Sequence, residues 1–301
     1  MEVRQLRAVV AVADTGSVTR AAVLLHLVQP AVTRQVHALE EELGVELFVR
    51  SRTGMRPTEA GLAFVERARR ALTELDRARA EVQPSVEVGG SVAVGLLDSL
   101  TEAVAVGLVA RVRQDYPGIR LRLMTGYSGH LQEWLESGTV EIALLYDVTT
   151  SASVAVRPLF EESLWAVAPP GDWPGGPVAL TDLAAHPVVM PAPPHGLRTL
   201  LDGACARAGV ELDGIVEVNT MITQKRLAAS GVGWTVLPAV AVEADVAAGV
   251  FSGGPLPVTR SVVLARSAGR RPSPAMEVVS RELERGVSHA AFSSPPPRYK
   301  D

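Results

Sequence analysis

A single cysteine, Cys205, stands among 301 residues, which excludes an internal disulfide and a metal cluster built on cysteine thiolates. No run of about twenty uninterrupted apolar residues occurs, so no membrane span is expected. The opening Met1-Glu2-Val3-Arg4-Gln5 lacks the basic-then-apolar order of a secretory signal, and the sequence predicts a cytoplasmic protein. G-x-G-x-x-G, a phosphate-binding loop and HExxH are all missing. Gly126-Tyr127-Ser128-Gly129 approaches a nucleophile elbow, but its second glycine is due where His130 stands. The sequence therefore assigns no catalytic residue, no metal site and no cofactor, and predicts a protein that is not an enzyme.

Acidic residues are also missing locally. The net charge of −4 argues mildly against nucleic-acid binding, yet Leu47 to Thr58 holds Arg50, Arg52 and Arg56 and no acid. Phosphate attraction acts over roughly 8–10 Å, so a local basic face is enough.

What is present divides the chain into domains, as 301 residues with 47% hydrophobic content would suggest. Leu6, Val9, Val10 and Ala13 make one helical stripe, broken at Asp14-Thr15-Gly16. Ser17 suits the N-cap of a second helix, and Pro30 suits the first turn of a third, which Gly44 ends. Residues 1–58 read as a domain of short helices plus a turn-rich hairpin. Residues 59–88 read as a linker helix and hinge, with Leu62, Val65, Ala68, Leu72, Leu75 and Val82 near heptad positions. Dimerisation is the reading; a helix packed on its own domain is the alternative.

From 89 to 292 strands alternate with helices, the mark of an α/β domain. Its length fits two lobes, one over about 89–162 and 266–292, the other over about 163–265. Crossovers are expected near 161–165 and 262–267. The tail 293–301, with three consecutive prolines, is expected to be disordered.

Two helices joined by a tight turn, the second polar on one side, fit a helix-turn-helix over about 18–37. Gln29, Pro30, Thr33, Arg34 and His37 would face the major groove, where Gln reads adenine, Arg guanine and Thr a thymine methyl or a phosphate. Ser17 and Arg20 join this set. Arg50, Arg52 and Arg56 would meet flanking phosphates or the minor groove. Composition alone leaves a plain helical bundle open. In an α/β sheet the ligand sits beyond the carboxyl ends of the strands, at helix starts. That rule selects Ser99, Thr101, Thr125, Tyr127, Ser128, Tyr146, His195, Asn219 and Thr220, a set that would hold an anion, most simply a small organic acid. Asp98 would repel such a ligand, or select a cationic group. Trp134, Trp165 and Cys205 read as core.

Arg4-Gln5-Leu6, Gly16-Ser17-Val18, Ala21-Ala22, Gln29-Pro30-Ala31-Val32, Leu39-Glu40-Glu41-Glu42-Leu43-Gly44, Leu47-Phe48 and Arg56-Pro57-Thr58-Glu59-Ala60-Gly61 together resemble the LysR-type transcriptional regulators. Less specific echoes follow at Tyr127-Ser128-Gly129, Pro194-His195-Gly196-Leu197-Arg198 and Gly231-Val232-Gly233-Trp234. Thr33 replaces a frequent Ser, and Pro57 a usual Leu. The resemblance implies a winged helix-turn-helix, a dimer-forming linker helix and a periplasmic-binding-protein-like effector domain. It also implies promoter DNA, a small co-inducer, self-association as dimer or tetramer, and RNA polymerase as partners. The rival reading is a stand-alone binding protein or enzyme on the same lobes.

Overall fold

A computed structural model describes residues 1–51, 54–82, 88–193, 195–269 and 272–292. Arg52 and the tail 293–301 lie outside the described residues. The chain divides into two compact units, chiefly Met1–Val86 and the chain from Glu87 onward.

The first unit holds α1 (Val3–Thr15), α2 (Val18–Leu24), α3 (Gln29–Leu43), the hairpin β1 (Phe48–Ser51) and β2 (Gly54–Pro57), and α4 (Glu59–Val82). Its boundaries are set by local chemistry. Gly16 and Gly44 end α1 and α3 in the left-handed region, at φ 62° and 67°, which glycine enters without strain. Ser17 caps α2 by accepting from the Arg20 amide at 3.4 Å. Thr58 caps α4, its hydroxyl accepting from Gly61 N at 2.9 Å. The recognition-length helix α3 is different: its N-cap is Val28, which makes no side-chain cap bond. Val32, Val36 and Leu39 turn inward to join Val9, Val12, Ala21, Leu47 and Val65 in one core.

The apolar seam on α4 splits. Val65 and Ala68 are buried in this unit, whereas Leu62 and Leu75 stay 61% and 40% exposed. The first half of the helix therefore packs on its own domain, as the alternative reading had it. The side chain of Val82 lies outside the described residues.

The second unit runs β3 (Gly90–Leu97), α5 (Asp98–Asp115), β4 (Ile119–Gly126), α6 (Ser128–Ser137), β5 (Ile142–Tyr146), β6 (Val154–Ala168), α7 (Leu180–Leu183), β7 (Pro187–Pro191), α8 (Gly196–Ala208), β8 (Asp213–Val218), α9 (Met221–Ala229), β9 (Trp234–Pro238), α10 (Ala239–Ala247), β10 (Ser252–Ser267) and α11 (Pro274–Phe292). All eight strands join in the order β4-β3-β5-β10-β6-β9-β7-β8. β3 pairs in parallel with β4 and β5, and β7 in parallel with β8 and β9. The long strands β6 and β10 pair antiparallel from Val154↔Ser267 to Ala168↔Ser252 and belong to both lobes.

One core gathers Val94, Leu96, Leu108, Ile142, Leu144 and Val263; a second gathers Leu164, Val188, Leu201, Trp234 and Val236. β10 changes lobe earlier than the expected 262–267. It already pairs with β5 from Val262 onward, after register breaks between Pro255 and Thr259 and at Val262. Among the described residues no helix is long and apolar enough to cross a membrane.

Candidate functional site

The buried stripe of α3 leaves Gln29, Pro30, Thr33, Arg34 and His37 on its exposed side. Arg34 has no hydrogen-bond or ion-pair partner among the described residues. Thr33 donates its hydroxyl back to the Gln29 carbonyl at 3.2 Å, and His37 Nε2 lies 3.7 Å from Glu41. Ser17 and Arg20 are committed locally, Ser17 as a cap and Arg20 by donating to the Thr15 carbonyl. In the hairpin, Arg50 pairs with Met55 and Arg56 with Val49, so the two arginines leave opposite faces of the ribbon. Both are exposed.

In the second unit a cavity opens between the lobes, its empty space about 560 Å³ when the open mouth is counted. The starts of α5, α6, α8, α9 and α10 all reach it, through Asp98, Ser128, Gly196, Met221 and Pro238. Each helix start presents unpaired N–H groups and a partial positive charge. Of the residues selected from sequence, Ser99, Tyr127, Ser128, Tyr146, His195 and Asn219 line the cavity. Thr101, Thr125 and Thr220 do not. Thr101 donates to the Leu97 carbonyl at 2.9 Å, Thr220 to Thr223 at 2.7 Å, and Thr125 is exposed on β4.

Sequence reasoning missed the residue at the floor. Arg260, on β10, lines the cavity while only 4% exposed. Its Nε donates to Glu162 at 2.7 Å, and its guanidinium lies 3.3 Å from the centroid of the Tyr146 ring. Among the described residues its terminal nitrogens make no bond, so the two-pronged end of the fork remains available. Glu162 is 2% exposed and its second oxygen is unpartnered. One signal was readable: Arg260 sits in a short polar break, Thr259-Arg260-Ser261, between the apolar residues Val258 and Val262-Val263-Leu264. Gln224, 4% exposed, was missed as well.

Burial dominates the titration here. It holds the Tyr146 hydroxyl far above the usual tyrosine range, outweighing the opposing Arg260 charge. Tyr146 is therefore a neutral group, 2.6 Å from Ser99 Oγ. Burial, then Arg260, lowers His195 to about 4. Its Nδ1 accepts from Leu197 N at 3.1 Å, which caps α8 and leaves the proton on Nε2. The ring stands edge-on to Tyr127 at 4.5 Å. Ser128 Oγ accepts from Tyr146 N at 3.0 Å rather than pairing with an imidazole. Among the described residues no three His, Cys, Asp or Glu side chains converge as a metal site. Cys205 is buried on α8, and burial, then Asp202, raises its thiol.

Comparison with known proteins matches both units. The family profile described as "Bacterial regulatory helix-turn-helix protein, lysR family" covers residues 3–62, and that of the "LysR substrate binding domain" covers 85–288. The nitrogen assimilation regulatory protein nac of Klebsiella aerogenes is 32% identical over 240 residues, 79% of this chain and 78% of that protein. A full-length OxyR variant from Pseudomonas aeruginosa shares the fold at TM-score 0.75 and 24% identity, covering 100% of this chain and 99% of that one. CbnR, solved in complex with its target DNA, aligns at TM-score 0.67 and 24% identity over 95% of this chain and 100% of that one.

Proposed function

Because the chain belongs to the LysR family of DNA-binding transcriptional regulators, we propose that its effector is a small organic acid whose carboxylate lies against Arg260. The observation that carries this reading is the free fork of a buried guanidinium at the floor of a cavity lined by helix starts. A carboxylate accepts two parallel N–H bonds from such a fork, and the low surrounding polarity strengthens both. Leu97, Met221, Leu237 and Pro238 offer an apolar wall, so the acid carries a compact apolar body. Asp98 at the rim turns away dianions by charge. Ser99, Tyr127, Tyr146 and neutral His195 supply orienting hydrogen bonds.

In this reading α3 enters the major groove of promoter DNA, as the target-DNA complex of CbnR suggests by likeness. Effector would favour one arrangement of the lobes and thereby shift promoter affinity, a change of population without chemistry. We place the protein in the cytoplasm, self-associated as a dimer or tetramer, with RNA polymerase as the downstream contact.

The test is a thermal-shift screen of the purified full chain with monocarboxylic acids and their matching primary amides. Stabilisation by acids and not by amides is expected, with a change in affinity for DNA selected from a random pool. Stabilisation by amides or amines alone would overturn the carboxylate reading.

A further inference from the structure

The reading helix begins on an exposed apolar residue. Val28 occupies the N-cap of α3 with an extended backbone (φ −84°, ψ 144°), makes no cap bond, and is 68% exposed. Within its own unit the neighbouring helices α2 and α4 are capped, Ser17 accepting from Arg20 N and Thr58 from Gly61 N, whereas Val28, like Leu97, Ala179, Thr220 and Pro238 in the second unit, makes no such bond. A branched apolar side chain at this position neither caps the helix nor joins the core. It stands beside Gln29 at the end of the helix that leads into the groove.

We propose that Val28 is a base-reading residue whose side chain packs against a thymine 5-methyl group in each half-site. The thymine methyl is the one apolar group on the major-groove edges of the bases. The setting suits DNA: between Asp14 and Glu40 the chain carries no acid but holds Arg20 and Arg34. A β-branched side chain is stiff about χ1, so the apolar surface it offers is fixed before binding. Val28 thus adds an apolar reading position to the polar ones at Gln29, Thr33 and Arg34. It predicts a thymine in the half-site beside the base pair that Gln29 contacts.

The experiment uses the full chain and duplexes selected from a random-sequence pool, which first establishes specific binding. Each thymine is then replaced singly by deoxyuridine, which removes only the methyl group, and Kd is measured by fluorescence anisotropy at fixed salt. Wild-type protein is expected to lose about fourfold at one thymine per half-site, the factor that burying one methyl group is worth. Val28→Ala should bind thymine and uracil equally at that position, while Val23→Ala, altering another exposed valine (73% exposed), keeps the discrimination. Thermal melts of both variants show whether folding is intact. The proposal is overturned if no methyl effect appears at any thymine, or if every methyl effect persists in Val28→Ala.

Discussion

The two units use arginine in opposite ways. Arg34 is exposed on α3, without an ion partner among the described residues, in a stretch free of acid. Arg260 is 4% exposed, tied to a carboxylate that is itself 2% exposed, and stacked on an aromatic ring. An exposed guanidinium is solvated until phosphate or a base edge replaces the water, so the unbound protein bears no penalty for carrying it. A buried one must be compensated at all times, because an isolated ion in the interior is strongly disfavoured. In the proposed function the exposed arginine would serve recognition and contribute little to folding, whereas the cleft arginine would serve both, which would build the effector site into the stability of its unit.

The largest expected effect tests the buried side of this contrast. Glu162→Ala should destabilise the second unit by about 3–5 kcal/mol, because Arg260 is left charged and unpaired in the interior. Urea denaturation followed by tryptophan fluorescence reads this directly, since Trp234 belongs to that unit's core. The double variant Glu162→Leu with Arg260→Met should recover most of the loss while abolishing the response to acids. If Glu162→Ala lowered stability by under about 1 kcal/mol, Arg260 would be solvated in the unbound protein and the contrast would fail.

The exposed side is tested by Arg34→Ala. Binding to selected DNA should weaken by about 1–3 kcal/mol, roughly 5- to 150-fold in Kd, with relaxed preference at one base pair. Its melting temperature should stay at the wild-type value. A fall in stability of similar size would mean that Arg34 also holds the fold together, contrary to its solvent exposure.

The same contrast explains what could be read from the sequence. In the first unit the helix boundaries are set by local chemistry: Gly16 and Gly44 end α1 and α3 in the left-handed region, and Ser17 and Thr58 cap α2 and α4 through amides three residues on. Their meaning survives without the fold. In the second unit the site is assembled across the sheet. Glu162 and Arg260 lie 98 residues apart in the chain, and neither points to the other in sequence. Pro255 and Pro257 disguise β10, since proline is confined to strand edges and bulges, and a register break does fall there. Ala239-Val240-Ala241-Val242 is a continuous apolar run, which periodicity alone does not assign to strand or helix, and it forms the start of α10. The rule of helix starts placed six of nine cleft residues. It failed at Thr101 and Thr220, whose hydroxyls are taken up by bonds within their own helices, and at Thr125, which faces solvent.

A smaller effect concerns pH. The pKa of His195 is about 4 in the fold, below the unfolded value of about 6.5, so folding favours the neutral ring. This contribution is complete above about pH 6.5 and is lost as pH falls toward 4, because the unfolded chain takes up the proton first. Wild type should lose about 1 kcal/mol more than His195→Gln between pH 6 and pH 5. Parallel denaturation curves of the two proteins across that window would show that His195 is solvated, and would remove one element of the dry cleft.

The smallest effect compares two helix starts inside the reading unit. The Ser17 cap bond is long at 3.4 Å, so Ser17→Ala should lower stability by only about 0.5 kcal/mol, the weak end of the range for caps. Val28→Ser should move the other way, raising stability by about as much, since it gives α3 the acceptor that its first turn lacks. A natural residue that is worse for folding than an available neighbour in chemistry implies selection for something other than folding. If Val28→Ser instead lowered the melting temperature, Val28 would be packing against its own unit, and its exposure would have to be reinterpreted as a contact made within the protein.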